Sequence, residues 1–365
     1  MFLLGSNASY LHFRLNFYSV PFAASLMFTT LGLWLWLKAT PERHPGRGEH
    51  VHVGSWSVAG AQPLSLRYLA AGAACIAANF GCRPTFALSA LLCFPIFWPQ
   101  ITSLLQGLKS RSLPPRRALR APAAVIIPAL IVVLPLMAYN VARFGSPLDF
   151  GNDYQMTVTD MTRFVQPTAN FLPSVGAYLF LPLRFTSEFP FIGMTPMAFR
   201  EWGYYEPMAG GLFTTCPLLL LALAAPFLRS RMHRSGYWGL ATCSLALAVL
   251  LASFDSHTAG LGWRYICDFG WMMAIAALAP MLYLMHPGGD ALAAGMPDPS
   301  ERNEPRRDVT KRHPMALACV RGLVVAVLMA SIILAVLACF IPGRDDSLIN
   351  NNPVLYDTVV AWFRL

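Results

Sequence analysis

The chain has 365 residues, of which 56% are hydrophobic and only 12% charged, with a formal net charge of +9 and a mean hydropathy of +0.49. A soluble domain carries roughly twice that share of charge, so a water-soluble globular protein is excluded. The basic excess follows the ends of apolar runs, which argues against a nucleic-acid surface and for an integral membrane protein.

Reading from the N-terminus, no short basic-then-apolar stretch ends in a small-residue cleavage site, so no signal peptide is expected. Several windows approach the roughly 20 apolar residues that a helix needs to cross a bilayer. The expected fold is all-α and polytopic, with about eight transmembrane helices near 17–37, 66–82, 85–105, 121–139, 211–228, 237–254, 269–286 and 315–341. Gly81-Cys82-Arg83-Pro84 alone separates the second from the third. That pair reads either as a tight hairpin or as one broken, re-entrant element. Pro128 and Pro135 are expected to kink the fourth span, which membranes tolerate when neighbours satisfy the freed carbonyls.

Lys and Arg set the orientation. Seventeen of them fall in one set of loops: Lys38 to Arg67, Lys109 to Arg120, Arg229 to Arg234 and Arg302 to Arg312. Nine lie on the opposite side, and Arg321 sits within snorkelling distance of the start of the last span. The richer set is assigned to the cytoplasm. The chain then divides into 1–140, the first four spans with a cytoplasmic loop near 39–65, and 141–210, an extracytoplasmic segment. The rest is 211–341, the last four spans with a disordered cytoplasmic loop near 287–314, and an extracytoplasmic tail, 342–365. The location expected is the cell membrane, in multi-pass form. The basic loops imply affinity for anionic membrane lipid and no nucleic-acid partner.

The cytoplasmic stretches are rich in Gly, Pro and charge, and read as solvated linkers. His50 and His52 lack a third ligand nearby, so no metal site is assigned. All eight cysteines are isolated and most lie in apolar runs, as small core residues do. The 141–210 segment is too dense in aromatics for a flexible loop, with Phe144, Phe150, Tyr154, Tyr178, Trp202 and Tyr204 among them. Residues 171–183 are apolar but short, so an interfacial or re-entrant helix is expected there. The aromatics form either an interfacial belt or a platform for sugar rings or a polyprenyl tail. Residues 353–365 read as an amphipathic helix on the outer membrane surface, or as a cap on the external domain. Small-residue contacts such as Ala70-Ala71-Gly72-Ala73-Ala74 are expected to hold the helices together.

Two polar patches at span ends are the candidate site. The first contains Asn140 and Arg143, a turn at Gly145-Ser146-Pro147, then Asp149, Asp153 and Tyr154. An Arg there can grip a phosphate bidentately, and an Asp beside it can orient the Arg, accept a proton or hold a divalent cation. The bland alternative is an ordinary helix end whose Arg meets lipid phosphate. The second contains Arg264, Tyr265 and Asp268; in a helix, Arg264 and Asp268 would share a face and could pair. There the alternative is a salt bridge closing the end of a span. The expectation is that both patches lie on the outer side and converge on one pocket for a phosphorylated or polar substrate. Glu188, Glu201 and Glu206 add acid without a diagnostic metal spacing.

The run from Tyr139 to Gln155 resembles one in bacterial members of the C-type membrane glycosyltransferase superfamily, the protein-mannosyltransferase-like and arabinosyltransferase-like proteins. Arg264-Tyr265-Ile266-Cys267-Asp268-Phe269 is similar to a run before a late span in the same proteins, and Gly81 to Pro84 resembles a turn between two middle spans. The resemblance implies a polyprenyl-phosphate-linked sugar as donor, transfer on the external face, and inversion at the anomeric carbon. It also implies an acidic loop after the first span that holds a general base or metal. Residues 1–16 contain no Asp or Glu, so no catalytic base is assigned and only a divalent cation is left open as a cofactor. On that reading the chain is the C-terminal part of an enzyme, an incomplete gene product, or a part that works with a separate N-terminal partner. The alternative class is a non-catalytic membrane protein, a transporter or flippase of lipid-linked saccharide.

Overall fold

The computed structural model describes residues 1–13, 19–40, 64–111, 113–151, 154, 164–199, 201–228, 237–285, 314–343 and 347–363. Helix dominates. Among the described residues strand is limited to an antiparallel pair, Arg184–Phe185 with Ile192–Gly193, and two isolated bridges. An apolar chain in lipid must satisfy its own backbone groups, and the helix does so within one segment.

Five described helices are long and apolar enough to cross a membrane: Ser19–Ala39, Arg120–Phe144, Tyr237–Thr258, Ile266–Met285 and Pro314–Ala338. They correspond to the first, fourth, sixth, seventh and eighth expected spans. The other three differ in form. Leu66–Cys82 is a single helix but short, and Pro217–Leu228 is a shorter 3-10 helix. The region expected at 85–105 is a 3-10 helix, Pro84–Leu92, followed by Cys93–Ile96 and then Trp98–Lys109, bent by 64°. Counted as one span it makes a sixth. Prolines explain the breaks, since Pro84 and Pro99 each sit at a helix start and Pro95 lies between them. The Arg120–Phe144 helix, by contrast, runs on through Pro128 and Pro135.

The chain forms two compact units. One consists of residues 23–164 and 290–303. Its core is Trp36, Ala39, Leu69, Ala73, Ile76 and Phe97. The Leu66–Cys82 helix packs against Arg120–Phe144 and against the 3-10 helix Pro84–Leu92. Gly72 allows the Trp36 indole to lie on the helix backbone, where its Nε1 donates to the Leu69 carbonyl at 3.2 Å. Lower in the same pair of helices, Asn79 donates to the Thr29 hydroxyl at 2.9 Å, both side chains fully buried. Small residues for close approach and a polar pair as glue are how helices associate in lipid.

The other unit consists of residues 1–22, 165–289 and 304–365. Its centre is the Ile266–Met285 helix, which buries Cys267, Asp268, Phe269, Trp271, Met272 and Ala276. It packs against Phe2–Gly5, Pro217–Leu228, Tyr237–Thr258 and Pro314–Ala338. Gly5 meets Gly270 so closely that a Cβ on Gly270 would collide with the Gly5 carbonyl oxygen. The expected short helix is Phe171–Phe180, ending before the hairpin at Arg184, and the C-terminal helix is Pro353–Ala361. Arg321 donates through Nε to the Met285 carbonyl at 2.9 Å, satisfying one of the open carbonyls at that helix end. All eight cysteines are free.

Candidate functional site

The second patch is held by contacts from distant stretches of the chain. The backbone leaves the Tyr237–Thr258 helix and turns at Gly260, whose φ of +87° is left-handed. A side chain there would collide with the Tyr204 carbonyl, so the position needs glycine. Residues 204–206 then run parallel beside Leu261: Leu261 N–H donates to the Tyr204 carbonyl at 3.1 Å, and Glu206 N–H donates to the Leu261 carbonyl at 2.7 Å. The turn is locked from behind by Tyr178, whose fully buried hydroxyl donates to the Gly260 carbonyl at 2.8 Å and accepts the Gly262 N–H at 3.1 Å. Burial, and then the nearby Asp255 carboxylate, push the Tyr178 hydroxyl well above its ordinary range, so it stays a donor.

Two amides hold the other edge. The Gln166 Oε1 accepts the Tyr204 N–H at 3.2 Å, and Asn170 Nδ2 donates to the Glu201 carbonyl at 3.0 Å. On the N-terminal side, Asn7 donates to the Trp263 carbonyl at 2.7 Å while Tyr10 packs edge-on to the Trp263 ring. Trp263, the residue before Arg264, is thereby held at both its carbonyl and its ring.

Arg264 sits in a 3-10 turn, Trp263–Tyr265, immediately before the Ile266–Met285 helix. Its guanidinium lies over the rings of Tyr204 (5.4 Å) and Tyr265 (5.0 Å), and Nη2 donates to the Tyr265 hydroxyl at 3.1 Å. Such stacking is worth about 0.5–2 kcal/mol per contact, more when water is kept out. The buried Glu206 acts on the guanidinium electrostatically, and its Oε2 would lie 3.2 Å from a Cβ on Gly262, against the same turn. Asp268 is fully buried in the first turn of the helix, where a carboxylate opposes the positive end of the dipole. Arg264 stands in the 3-10 turn and Asp268 in the first turn of the α-helix that continues it, and two tyrosine rings flank the guanidinium.

The first patch has a different character and belongs to the other unit. Asn140 and Arg143 do not end the helix but lie in its last turns, since it continues to Phe144. Gly145, at φ +79°, closes it with its N–H on the Val141 carbonyl at 2.9 Å. Arg143 is exposed; it donates to the Tyr139 hydroxyl one turn back at 2.9 Å, and its guanidinium lies 4.9 Å from the Phe144 ring centre. Asn140 is buried and donates to the Pro147 carbonyl at 3.3 Å. Asp149 accepts the Gly151 N–H at 2.8 Å, a side-chain turn made with its own neighbours. Tyr154, 64% exposed, stacks on Phe144 at 5.3 Å. Asp153 lies outside the described residues. Every one of these contacts spans fewer than a dozen residues.

Among the described residues, no group of three or more His, Cys, Asp or Glu could hold a metal ion. A cavity of about 30 Å³ lies among Asn7, Thr215, Cys216, Trp263 and Ser331; it has room for about one or two waters and not for a sugar. Sequence reasoning missed Tyr178, Gln166, Asn170 and Asn7. Their one visible signal was Gly260-Leu261-Gly262, since two glycines around one residue mark a tight turn that something must hold.

No family model, curated protein or solved structure matches this chain.

Proposed function

We propose that this chain is a multi-pass protein of the cell membrane that binds a polyprenyl-phosphate-linked sugar at its outer face, at Arg264, and serves in transfer of that sugar. The observation that carries this reading is the Arg264 guanidinium, laid over Tyr204 and Tyr265 on a turn that Tyr178 fixes. Arg has five N–H donors in a rigid fork. Arg264 Nη2 donates to the Tyr265 hydroxyl, and a guanidinium fork can grip a phosphate bidentately. Pre-ordering the guanidinium removes much of the entropy cost of binding, and the tyrosine rings supply faces on which a sugar can stack. Tyr265 and Asp268 complete the proposed binding set in this unit; Asn140, Arg143, Asp149, Asp153 and Tyr154, in the other unit, form a second proposed patch of their own, where Arg143 meets phosphate at the membrane surface.

The transport alternative expects ionisable groups near the middle of spans. Asp255 and Asp268 each stand within a turn of a helix end, which supports chemistry at the membrane surface instead. The deciding experiment is transfer of radiolabel from a polyprenyl-phosphate sugar, alongside binding of that donor to the purified chain. Binding should fall about tenfold or more in Arg264→Ala, and undiminished binding in that variant would falsify the site. Passage of the donor across sealed vesicles, with no transfer, would favour the transporter.

A further inference from the structure

We infer that a ring cluster formed by Phe189, Phe191, Phe340 and Phe363 is a membrane-interface anchor, which lays the C-terminal helix, Pro353–Ala361, on the boundary between headgroups and acyl chains. This placement rests on depth in the bilayer and not on the proposed function. The Pro314–Ala338 helix is long and apolar enough to span, and most of its side chains are exposed in the protein, as a lipid-facing helix requires. Its last helical residue therefore marks a bilayer boundary. Phe340 is two residues further on.

Three other rings are tied to that level. Phe189, on the hairpin between Phe185 and Ile192, packs edge-on to Phe340 at 5.4 Å. The same ring is stacked on Phe363 at 4.6 Å with 15° between the planes. Phe191 meets Phe189 and Phe363 edge-on at 6.0 and 5.8 Å. Contacts this short tie the hairpin tip directly to Phe340, and the end of the C-terminal helix to it through one intervening ring, Phe189.

The C-terminal helix has the faces this location needs. Tyr356 and Val360, one turn apart, are buried in the protein. Leu355 and Trp362 are exposed, Trp362 by 72%, on the flank that also carries Val359. Asp357 is exposed on the opposite side of the helix from that flank. On the hairpin, Phe185 is also 72% exposed. An aromatic with an N–H, set beside a span end with aliphatic neighbours, matches the preference of tryptophan for the headgroup level. The continuity of the cluster with a lipid-facing helix identifies the occupant of this surface as the bilayer itself.

The test uses the full chain, with a benzophenone amino acid in place of Trp362 or, separately, of Asp357. It is reconstituted in vesicles of equal parts phosphatidylcholine and phosphatidylglycerol that contain radiolabelled phospholipid. On illumination, position 362 should capture labelled lipid about tenfold more than position 357. Equal capture at the two positions, or cross-linking of position 362 to a second copy of the chain, would overturn the inference. Adding Phe189→Ala to the Trp362 probe should cut lipid capture severalfold by releasing the helix; unchanged capture would remove Phe189 from the anchor.

Discussion

The same residue types, Arg, Tyr and Asp, stand near a helix end at both Arg143 and Arg264, yet the fold holds them differently. Around Arg143 every partner is a near neighbour in the chain: Tyr139 one turn back, Phe144 next door, Asp149 turned onto Gly151. Around Arg264 the partners come from residue 7, from 166–178 and from 204–206. A local arrangement costs little to form and little to lose. An arrangement drawn from four stretches of chain persists only because the whole unit folds, and it can hold a half-buried cation where water would otherwise take it. The contrast separates a helix end held by its own neighbours from a turn held by distant stretches of chain.

The largest effect expected from breaking that contrast is at Arg264. Arg264→Ala should lower donor binding about tenfold to a hundredfold, the value of one to two charge-assisted hydrogen bonds. Arg264→Lys should recover only a small part, because an ammonium cannot stack on two rings while forking onto a phosphate. Titration calorimetry on the two variants checks both points, and a full rescue by Lys would mean that only charge matters.

Next comes Tyr178→Phe, which leaves the Gly260 carbonyl and Gly262 N–H without their buried partner. The cost should be about 1–3 kcal/mol per group, read as a lower melting temperature together with weaker donor binding. The pH dependence sharpens the assignment. The folded Tyr178 pKa is raised, so its stabilisation is complete below the ordinary tyrosine value near 10 and is lost as pH rises through the folded value. Tyr178→Phe should therefore show a shallower alkaline loss of stability than the parent protein.

A smaller, purely structural loss is expected for Gly270→Ala. The added methyl meets the Gly5 carbonyl oxygen, and separating the two segments should cost about 1–3 kcal/mol with no specific change in donor affinity beyond that due to unfolding. The smallest effect belongs to Arg143→Ala, within about 0.5 kcal/mol in stability, as for other exposed pairs. A loss of donor binding there as large as at Arg264 would erase the distinction between the two patches.

Much of the helical architecture was legible in the sequence. Residues 121–139, 237–254, 269–286 and 315–341 are apolar over spanning length, and each lies largely within one helix because lipid offers the backbone no other partner. Residues 85–105 were harder. Their composition suits a span, but Pro84, Pro95 and Pro99 break the hydrogen-bond ladder, and hydropathy does not register that. Of the site, Arg264, Tyr265 and Asp268 were visible as polar residues in an apolar stretch. Asn7 and Tyr178 were not, since one sits more than 250 residues away and the other reads as one more aromatic in an apolar helix.

Composition and periodicity thus determined that this is a helical chain with several segments suited to lipid, because burial of a helix in hydrocarbon depends on the run of side chains and little else. Only the tertiary structure decided which of two similar arginines is held in place. That depends on the Gly260 turn, the Tyr178 hydroxyl and the approach of residues 204–206, contacts between distant stretches that no local pattern encodes.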